Sequence, residues 1–386
     1  MGMLPLAGHA EIRAVLGRRA VAGTLPQSIL LHGPAGVGKQ RMGLWLAQLL
    51  VCQKPTHAAE PCGGCQPCQM AARLQHPDVH WFFPLPRPEG TSPERLREKL
   101  EGVRATELEA RRADRLHVPA YERTPAHYLA AIQTLQRLAG SRPAMGRRKV
   151  FVVGEAELMV PQESSPEAAN AFLKLLEEPP ADTTLILTAE RPGALLPTIV
   201  SRVLPVRVRP LSSAEVSAFL LESGAVQDAP EADRIAAASA GAIGRALRLL
   251  PAAGSASPLE RQRQQGRTLL ETVLSSAAPV RFAAAHATAP AGARGEFLGL
   301  MDSFSVWLRD LLAVVSGAPE HLLHGGEADL LHRAAQRPGL HPLGIADALR
   351  RIDAAREMAE GNVNPQLILA DLLRGVHSDI HAAPHV

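Results

Sequence analysis

The stretch Gly33-Pro34-Ala35-Gly36-Val37-Gly38-Lys39-Gln40 decides the reading of this chain. The apolar run Ile29-Leu30-Leu31 precedes it, and the helical pattern Met42, Trp45, Leu46, Leu49, Leu50 follows it. That strand, loop and helix order is the setting of a phosphate-binding loop, and the residues match G-x-x-x-x-G-K-[ST] in all but the last position. The glycines let successive backbone amides turn toward a phosphate at a helix start, where the helix dipole also favours negative charge, and the lysine reaches a terminal phosphate. Gly33, Gly36, Gly38 and Lys39 are therefore the candidate residues for holding ATP or ADP. Gln40 stands where the motif has the hydroxyl that binds magnesium, and this substitution leaves nucleotide occupancy open. An ordinary glycine turn is the competing reading, and the flanking strand and helix patterns argue against it.

Val150-Phe151-Val152-Val153 and Thr184-Leu185-Ile186-Leu187 are two more short apolar runs, each followed by a helical pattern. Recurring βα units predict a parallel sheet covered on both faces. The first of these runs ends in Gly154-Glu155-Ala156-Glu157, where a phosphate-loop ATPase carries an acidic pair, one residue for magnesium and one to orient the attacking water. Glu155 keeps the second position, but Gly154 cannot help hold a metal. Both magnesium-positioning groups are thus missing together, so independent ATP hydrolysis is not expected. A pair of surface charges at a strand end is the plainer reading of Glu155 and Glu157.

All four cysteines of the chain, Cys52, Cys62, Cys65 and Cys68, fall in one C-x9-C-x2-C-x2-C run beside Pro61, Gly63, Gly64 and Pro67. Four soft ligands at that spacing predict one closed, structural Zn2+ site with no open coordination position for catalysis. His57, His76 and His80 lie nearby, but a lone histidine is more often a surface or core residue than a ligand.

Composition narrows the class. The chain has 386 residues, enough for two or three domains at roughly 150 each. Its 31 glycines and 32 prolines stay below the roughly 25–30% of low-complexity chains. Lys plus Arg number 41 against 38 Asp plus Glu, so no strong overall field holds nucleic acid or an anionic membrane. Eight Phe, three Trp and two Tyr are too few to build stacking platforms for single strands. No run approaches the roughly 18 apolar residues of a membrane span. The amino terminus lacks a secretory pattern, and Leu6 stands where a myristoylation signal wants Ser or Thr, so the expected location is the cytoplasm, with no membrane partner.

The expected organisation is an α/β domain over residues 1–208, carrying the cysteine module at 52–68 and a partly helical surface insertion at 84–127. A small helical unit at 209–255 and an all-α domain at 256–386 follow. Pro205 to Pro210 reads as the first boundary and Gly254 to Pro258 as the second linker. Arg147-Arg148-Lys149 and Arg111-Arg112 are candidate contacts to DNA phosphates, against the commoner reading of a short basic cluster as a solvated face.

The order of Gly33–Gln40, the four cysteines, His76-Pro77-Asp78, Asn170-Ala-Phe-Leu-Lys-Leu-Leu-Glu-Glu-Pro-Pro180 and Leu196-Pro-Thr-Ile-Val-Ser-Arg202 resembles the clamp-loader branch of the AAA+ ATPases. The resemblance is dense over residues 28–208. It thins through Gly241–Leu247, which is similar to the family's sensor-2 stretch with Gly244 at the arginine position, and returns weakly at Asn362–Leu367. Ser201-Arg202-Val203 matches the family's Ser-Arg-Cys motif except at its third residue. The resemblance implies that Arg202, with Ser201, reaches into the ATP site of an adjacent subunit. It also implies a ring-like pentamer with gamma/tau-like motor subunits and a delta subunit, which opens the sliding clamp and places it on primed DNA using ATP. In that assembly the C-terminal helical domain is the collar, and this chain is a non-motor subunit. Two rivals remain at this stage: an ATP-hydrolysing motor subunit, and a zinc-containing DNA-binding protein outside any loader. For Asn170–Pro180 the residues alone read as an amphipathic helix with Phe172, Leu173 and Leu176 inward, stopped by Pro179 and Pro180.

Overall fold

A computed structural model describes residues 3–92, 94–119, 121, 125–159, 166–250, 258–288, 294–324, 327–360 and 363–381. The chain divides into two compact units, Met1–Arg248 and Leu249–Val386.

In the first unit, α1 (Ala10–Val21), β1 (Ser28–His32), α2 (Lys39–Val51), α3 (Gln66–Ala72) and β2 (Val79–Phe82) lead to α4 (Leu96–Ala113) and α5 (Leu129–Ala139). Then come β3 (Lys149–Val153), α6 (Glu167–Glu177), β4 (Thr183–Ala189), α7 (Pro197–Val200) and β5 (Leu204–Arg207). Three helices end the unit: α8 (Ser213–Glu222), α9 (Ala229–Ala238) and α10 (Ile243–Arg248). The strands form one parallel sheet in the order β2-β3-β4-β1-β5. The interposed β4 therefore separates the loop-bearing β1 from β3 and its acidic end.

Period-two alternation builds the core on both faces. Ile29, Leu31, Val150, Val152 and Ile186 point to the side of Leu16, Met42 and Trp45. Leu30, Phe151, Val153, Leu185 and Leu187 point to the side of Ile132, Phe172 and Ile199. The predicted parallel α/β sheet is thus present, with two strands beyond the three expected. In β2, Val-His-Trp-Phe, a histidine interrupts the apolar run. β5 falls inside the expected boundary at Pro205–Pro210 and carries Pro205, which an edge strand tolerates because its missing N–H faces away from the ladder.

The 84–127 stretch contains α4, whose Leu100 is buried against the sheet, and an antiparallel bridge between Leu85 and Ala126. Its arginines reach the aromatic residues of β2 and the loop after it. The Arg104 guanidinium lies 4.6 Å from the Phe82 ring, and that of Arg111 lies 4.2 Å from Trp81 and 4.1 Å from Phe83. The helix α8 starts at a capping box in which Ser212 and Glu215 each bond the other's backbone N–H.

The second unit holds α11 (Pro258–Val273), α12 (Ala278–Thr288), α13 (Arg294–Val315), α14 (Ala328–Ala335), α15 (Pro342–Glu360) and α16 (Pro365–His381). Its described residues contain no strand. Leu270, Phe304, Trp307, Leu311, Ile352 and Leu372 lie in one apolar core, with the Trp307 Nε1–H donated to the Arg263 carbonyl at 3.0 Å. The expected linker at Gly254–Pro258 lies, apart from Pro258, outside the described residues. Among the described residues no helix is long and apolar enough to cross a membrane.

Candidate functional site

Lys39 opens α2, and Gly38 before it has φ 96° as the N-terminal cap. At Gly36, φ is 75° and an added Cβ would lie 3.0 Å from the Arg245 backbone nitrogen, so only glycine fits there. The Gly36 carbonyl accepts a 2.8 Å hydrogen bond from the Gly244 N–H, which pins the start of α10 to the loop. His9 Nε2 meets the Val37 carbonyl at 2.8 Å. The Lys39 ammonium is buried and donates to the loop's own carbonyls, Gly33 O and Pro34 O, both at 2.8 Å. Burial lowers its pKa, with Glu190, Glu157 and Glu155 opposing.

Gln40 and Gly154 form one packing unit. The Gln40 Nε2 donates to Glu155 Oε1 at 3.1 Å, and the Trp81 Nε1–H donates to Gln40 Oε1 at 2.9 Å. A Cβ on Gly154 would meet Gln40 Cδ at 2.5 Å. The carboxamide therefore occupies space that an acidic side chain at 154 would need. His127, buried, donates from Nε2 to the Gly154 carbonyl at 2.7 Å, and burial lowers its pKa to about 4. Glu155 sits at φ 50° with its N–H on Thr188 Oγ1 at 3.0 Å. Desolvation by the surrounding protein and then the charge of Glu157 raise its pKa, with Lys39 opposing. Glu157 accepts the Glu190 N–H at 2.6 Å. Glu155 is thus an exposed carboxylate held by Gln40, and Glu157 is partly buried at the strand end.

Arg202 follows the short helix α7, away from the loop between β1 and α2. Its side chain donates to the Thr198 carbonyl at 3.0 Å and to Ser201 Oγ at 3.2 Å, and pairs with Glu177 Oε1 at 3.0 Å. Both partners of the ion pair reach solvent, at 36% and 50% exposure. Val203 beside it is buried in the cluster that holds Phe172 and Ile199. Glu177 ends α6, where Phe172 and Leu176 are buried as the amphipathic reading expects, while Leu173 is only partly so.

The four cysteine sulfurs all lie within 4.8 Å of one another, and Cys62 Sγ and Cys68 Sγ are 3.9 Å apart. Zn–S bonds of about 2.3 Å in a tetrahedron need sulfurs about 3.8 Å apart, so the set fits one ion. The N–H groups of Cys62 and Cys65 point at Cys52 Sγ and Cys62 Sγ, each at 3.4 Å. The Cys65 amide chiefly lowers the Cys62 thiol to a pKa of about 6, whereas burial raises Cys68. Cys52 directly follows α2, so the metal site is at the far end of a 13-residue helix from Lys39, about 20 Å away. A metal there would hold the loops around α3 and would lie too far from the phosphate loop to touch chemistry at it. His76 and His80 are outside this group: His76 Nδ1 accepts the Asp78 N–H at 3.1 Å, and His80 stacks on Phe151.

Three of the five residues in the two basic clusters fold inward, while Arg147 is exposed and Arg148 half-buried. Lys149 is buried and donates to the Leu138 and Ala139 carbonyls at 2.6 and 2.8 Å, closing the C-terminal end of α5. Arg111 is wedged on Trp81 and Phe83 and paired with Glu107 at 2.8 Å, and Arg112 donates to the Leu74 carbonyl at 2.6 Å. These three are packing residues rather than exposed phosphate contacts. The sequence reading also passed over the Gln40–Trp81 bond, His127, and the Asp78 carboxylate that accepts the Ala144, Met145 and Gly146 N–H groups. Of these, Asp78 had a sequence signal, since it belongs to the His76-Pro77-Asp78 stretch that carries the resemblance.

A parallel sheet with a glycine-rich loop after β1, its lysine heading α2 and an acidic end on β3 defines the phosphate-loop NTPase class of fold. Within that class the chain belongs to the family described as DNA polymerase III, delta subunit, whose profile matches residues 8–212. It is 35% identical over 243 residues to the DNA polymerase III subunit delta' of Pseudomonas aeruginosa, covering 63% of this chain and 56% of that one. It is 28% identical over 198 residues to the delta' subunit of Bacillus subtilis, covering 51% and 46%. To the gamma/tau subunit of Mycobacterium bovis it is 29% identical over 196 residues, covering 50% and 26%. The chain thus spans about half the length of the delta' relatives it matches.

Proposed function

We propose that this chain is a non-motor, delta-prime-like subunit of the DNA polymerase III clamp loader, helping to load the sliding clamp onto primed DNA and donating Arg202 to a neighbouring ATP site. The observation that carries this reading is the Gln40–Gly154 unit. The side chain replacing the magnesium-binding hydroxyl fills the space of the missing acidic side chain, while Arg202 projects from a separate element. Positioning magnesium is most of the protein's task in phosphoryl transfer, so this chain's own loop serves as scaffold and its catalytic contribution goes to another subunit.

In the proposed assembly, gamma/tau-like motor subunits and a delta subunit are the partners, and the helical unit Leu249–Val386 serves as the collar that joins them. Residues 209–255 act as a lid whose α10 is fixed on the phosphate loop. Cys52, Cys62, Cys65 and Cys68 hold one structural Zn2+, and Gly33, Gly36, Gly38 and Lys39 form a degenerate loop in which any ATP or ADP is not turned over. The cytoplasm is the proposed location.

The retained Lys39 and Glu155, together with gamma/tau relatives, favour a second reading as a motor subunit. Purified chain assayed with magnesium and ATP separates the two. Turnover at background supports the non-motor reading, and magnesium-dependent turnover abolished by Lys39→Ala supports the motor.

A further inference from the structure

We propose that Glu177 is a positioning residue for Arg202: its carboxylate holds the guanidinium in the free chain and competes for it with the phosphate of the neighbouring ATP. This rests on the reading of Arg202 as acting in trans. Among the described residues the guanidinium has three partners, the Thr198 carbonyl and Ser201 Oγ on one terminal nitrogen and Glu177 Oε1 on the other. The first two are neutral and belong to the same short turn as Arg202 itself. Glu177 is the charged one, and it comes from a different element.

The placement of that carboxylate is costly for its own helix. Glu177 is the last residue of α6, where the exposed carbonyls make the helix end negative, and Glu178 follows it. A guanidinium across the gap offsets both. The gap itself is fixed by the core, since Phe172 and Leu176 of α6 and Ile199 and Val203 around α7 are buried in one apolar cluster. The clasp is therefore a rigid pairing of two backbones rather than a chance meeting of long side chains.

It is also weak enough to open. Solvent reaches both side chains, and exposed pairs of that kind shift an equilibrium by about five-fold at most. A triphosphate with magnesium offers the same planar fork more negative charge. Arg202 then exchanges a carboxylate for a phosphate while its turn stays in place. The held fraction reduces the apparent affinity of the neighbouring site for ATP in proportion.

Glu177→Gln keeps the shape and removes the charge. In the full chain labelled at arginine nitrogens, with the Arg202 signal assigned by its loss in Arg202→Lys, wild type gives a restricted Arg202 side chain and Glu177→Gln an averaged, mobile one. In the reconstituted loader with DNA, Glu177→Gln lowers the half-saturating ATP concentration of the site facing this subunit by about two- to five-fold and leaves its maximal rate unchanged. An Arg202 signal identical in wild type and Glu177→Gln overturns the proposal. So does a Glu177→Gln complex whose maximal rate falls as in Arg202→Ala, since the carboxylate would then be aiding the arginine rather than competing for it. If Arg202→Ala leaves the complex's ATPase unchanged, it is the trans role of Arg202 that fails, and the side-chain mobility still decides whether Glu177 holds it.

Discussion

The Gln40 carboxamide and Gly154 share one volume, with the Cδ of the first 2.5 Å from the position a Cβ would take on the second. Two departures from a working nucleotide site, 114 positions apart in the chain, are therefore a single packing arrangement. Restoring an acidic residue at 154 alone sets side chain against side chain, whereas restoring Ser or Thr at 40 alone leaves a gap beside Gly154.

Gly154→Ala is expected to displace the Gln40 amide from Glu155 and Trp81 and to cost about 1–3 kcal/mol. Combined with Gln40→Ala, the loss should be smaller than the sum of the two single losses, by about 0.5–3 kcal/mol. Urea unfolding of the four proteins checks this, and strict additivity would contradict a shared volume.

Lys39→Ala removes a charged donor from the Gly33 and Pro34 carbonyls. The chain should lose about 1–3 kcal/mol of stability. The ATPase of a reconstituted loader containing it should stay within about two-fold of wild type. A loss of most of that activity would place nucleotide chemistry in this chain's own loop.

One zinc per chain is expected in protein purified without chelators. Ligation deprotonates the thiols and draws them together, so metal binding is local folding free energy. The Trp45 Nε1–H is donated to Glu60 Oε2 at 2.7 Å, two residues before Cys62, and so its fluorescence reports the loop. Chelation or Cys68→Ser should change Trp45 emission while assembly persists. Four thiols that titrate freely in the native protein count against the site.

His127 sets an acid limit on stability. Its folded pKa, about 4, lies below the unfolded 6.5, because burial disfavours the cation more than the Gly154 carbonyl helps it. The unfolded chain thus takes up this proton first. The contribution is complete above pH 6.5 and is lost as pH falls from 6.5 toward 4, up to about 3 kcal/mol. Stability at pH 7 and pH 5 should converge by part of that amount in His127→Gln, and an unchanged difference would contradict the assignment.

The phosphate loop, the three apolar strands, the cysteine run and the helical second unit were all legible because each depends on local pattern. β2 was hidden because His80 breaks its run, yet stacking on Phe151 lets that histidine sit in a strand. β5 was hidden by Pro205, which only its edge position permits. The site's missing parts have the same cause. Trp81, Glu177 and His127 matter through partners 41, 25 and 27 residues away in the chain, a separation that no spacing rule exposes. Lys149 and Arg111 carried the opposite lesson, since a basic cluster gives no sign of which members fold inward.

In the proposed assembly Arg202 acts on a neighbour's ATP. An arginine supplied in trans contributes about 10³–10⁵ in rate at its site, and lysine lacks the planar fork that grips two phosphate oxygens. The most direct measurement is DNA-stimulated ATPase and clamp loading by reconstituted complexes containing Arg202→Ala or Arg202→Lys. Intact folds, intact assembly and lowered rates are expected for both variants, the drop in the total being limited by sites that other arginines serve. Complexes of either variant that hydrolyse ATP and load clamps at the wild-type rate would contradict it.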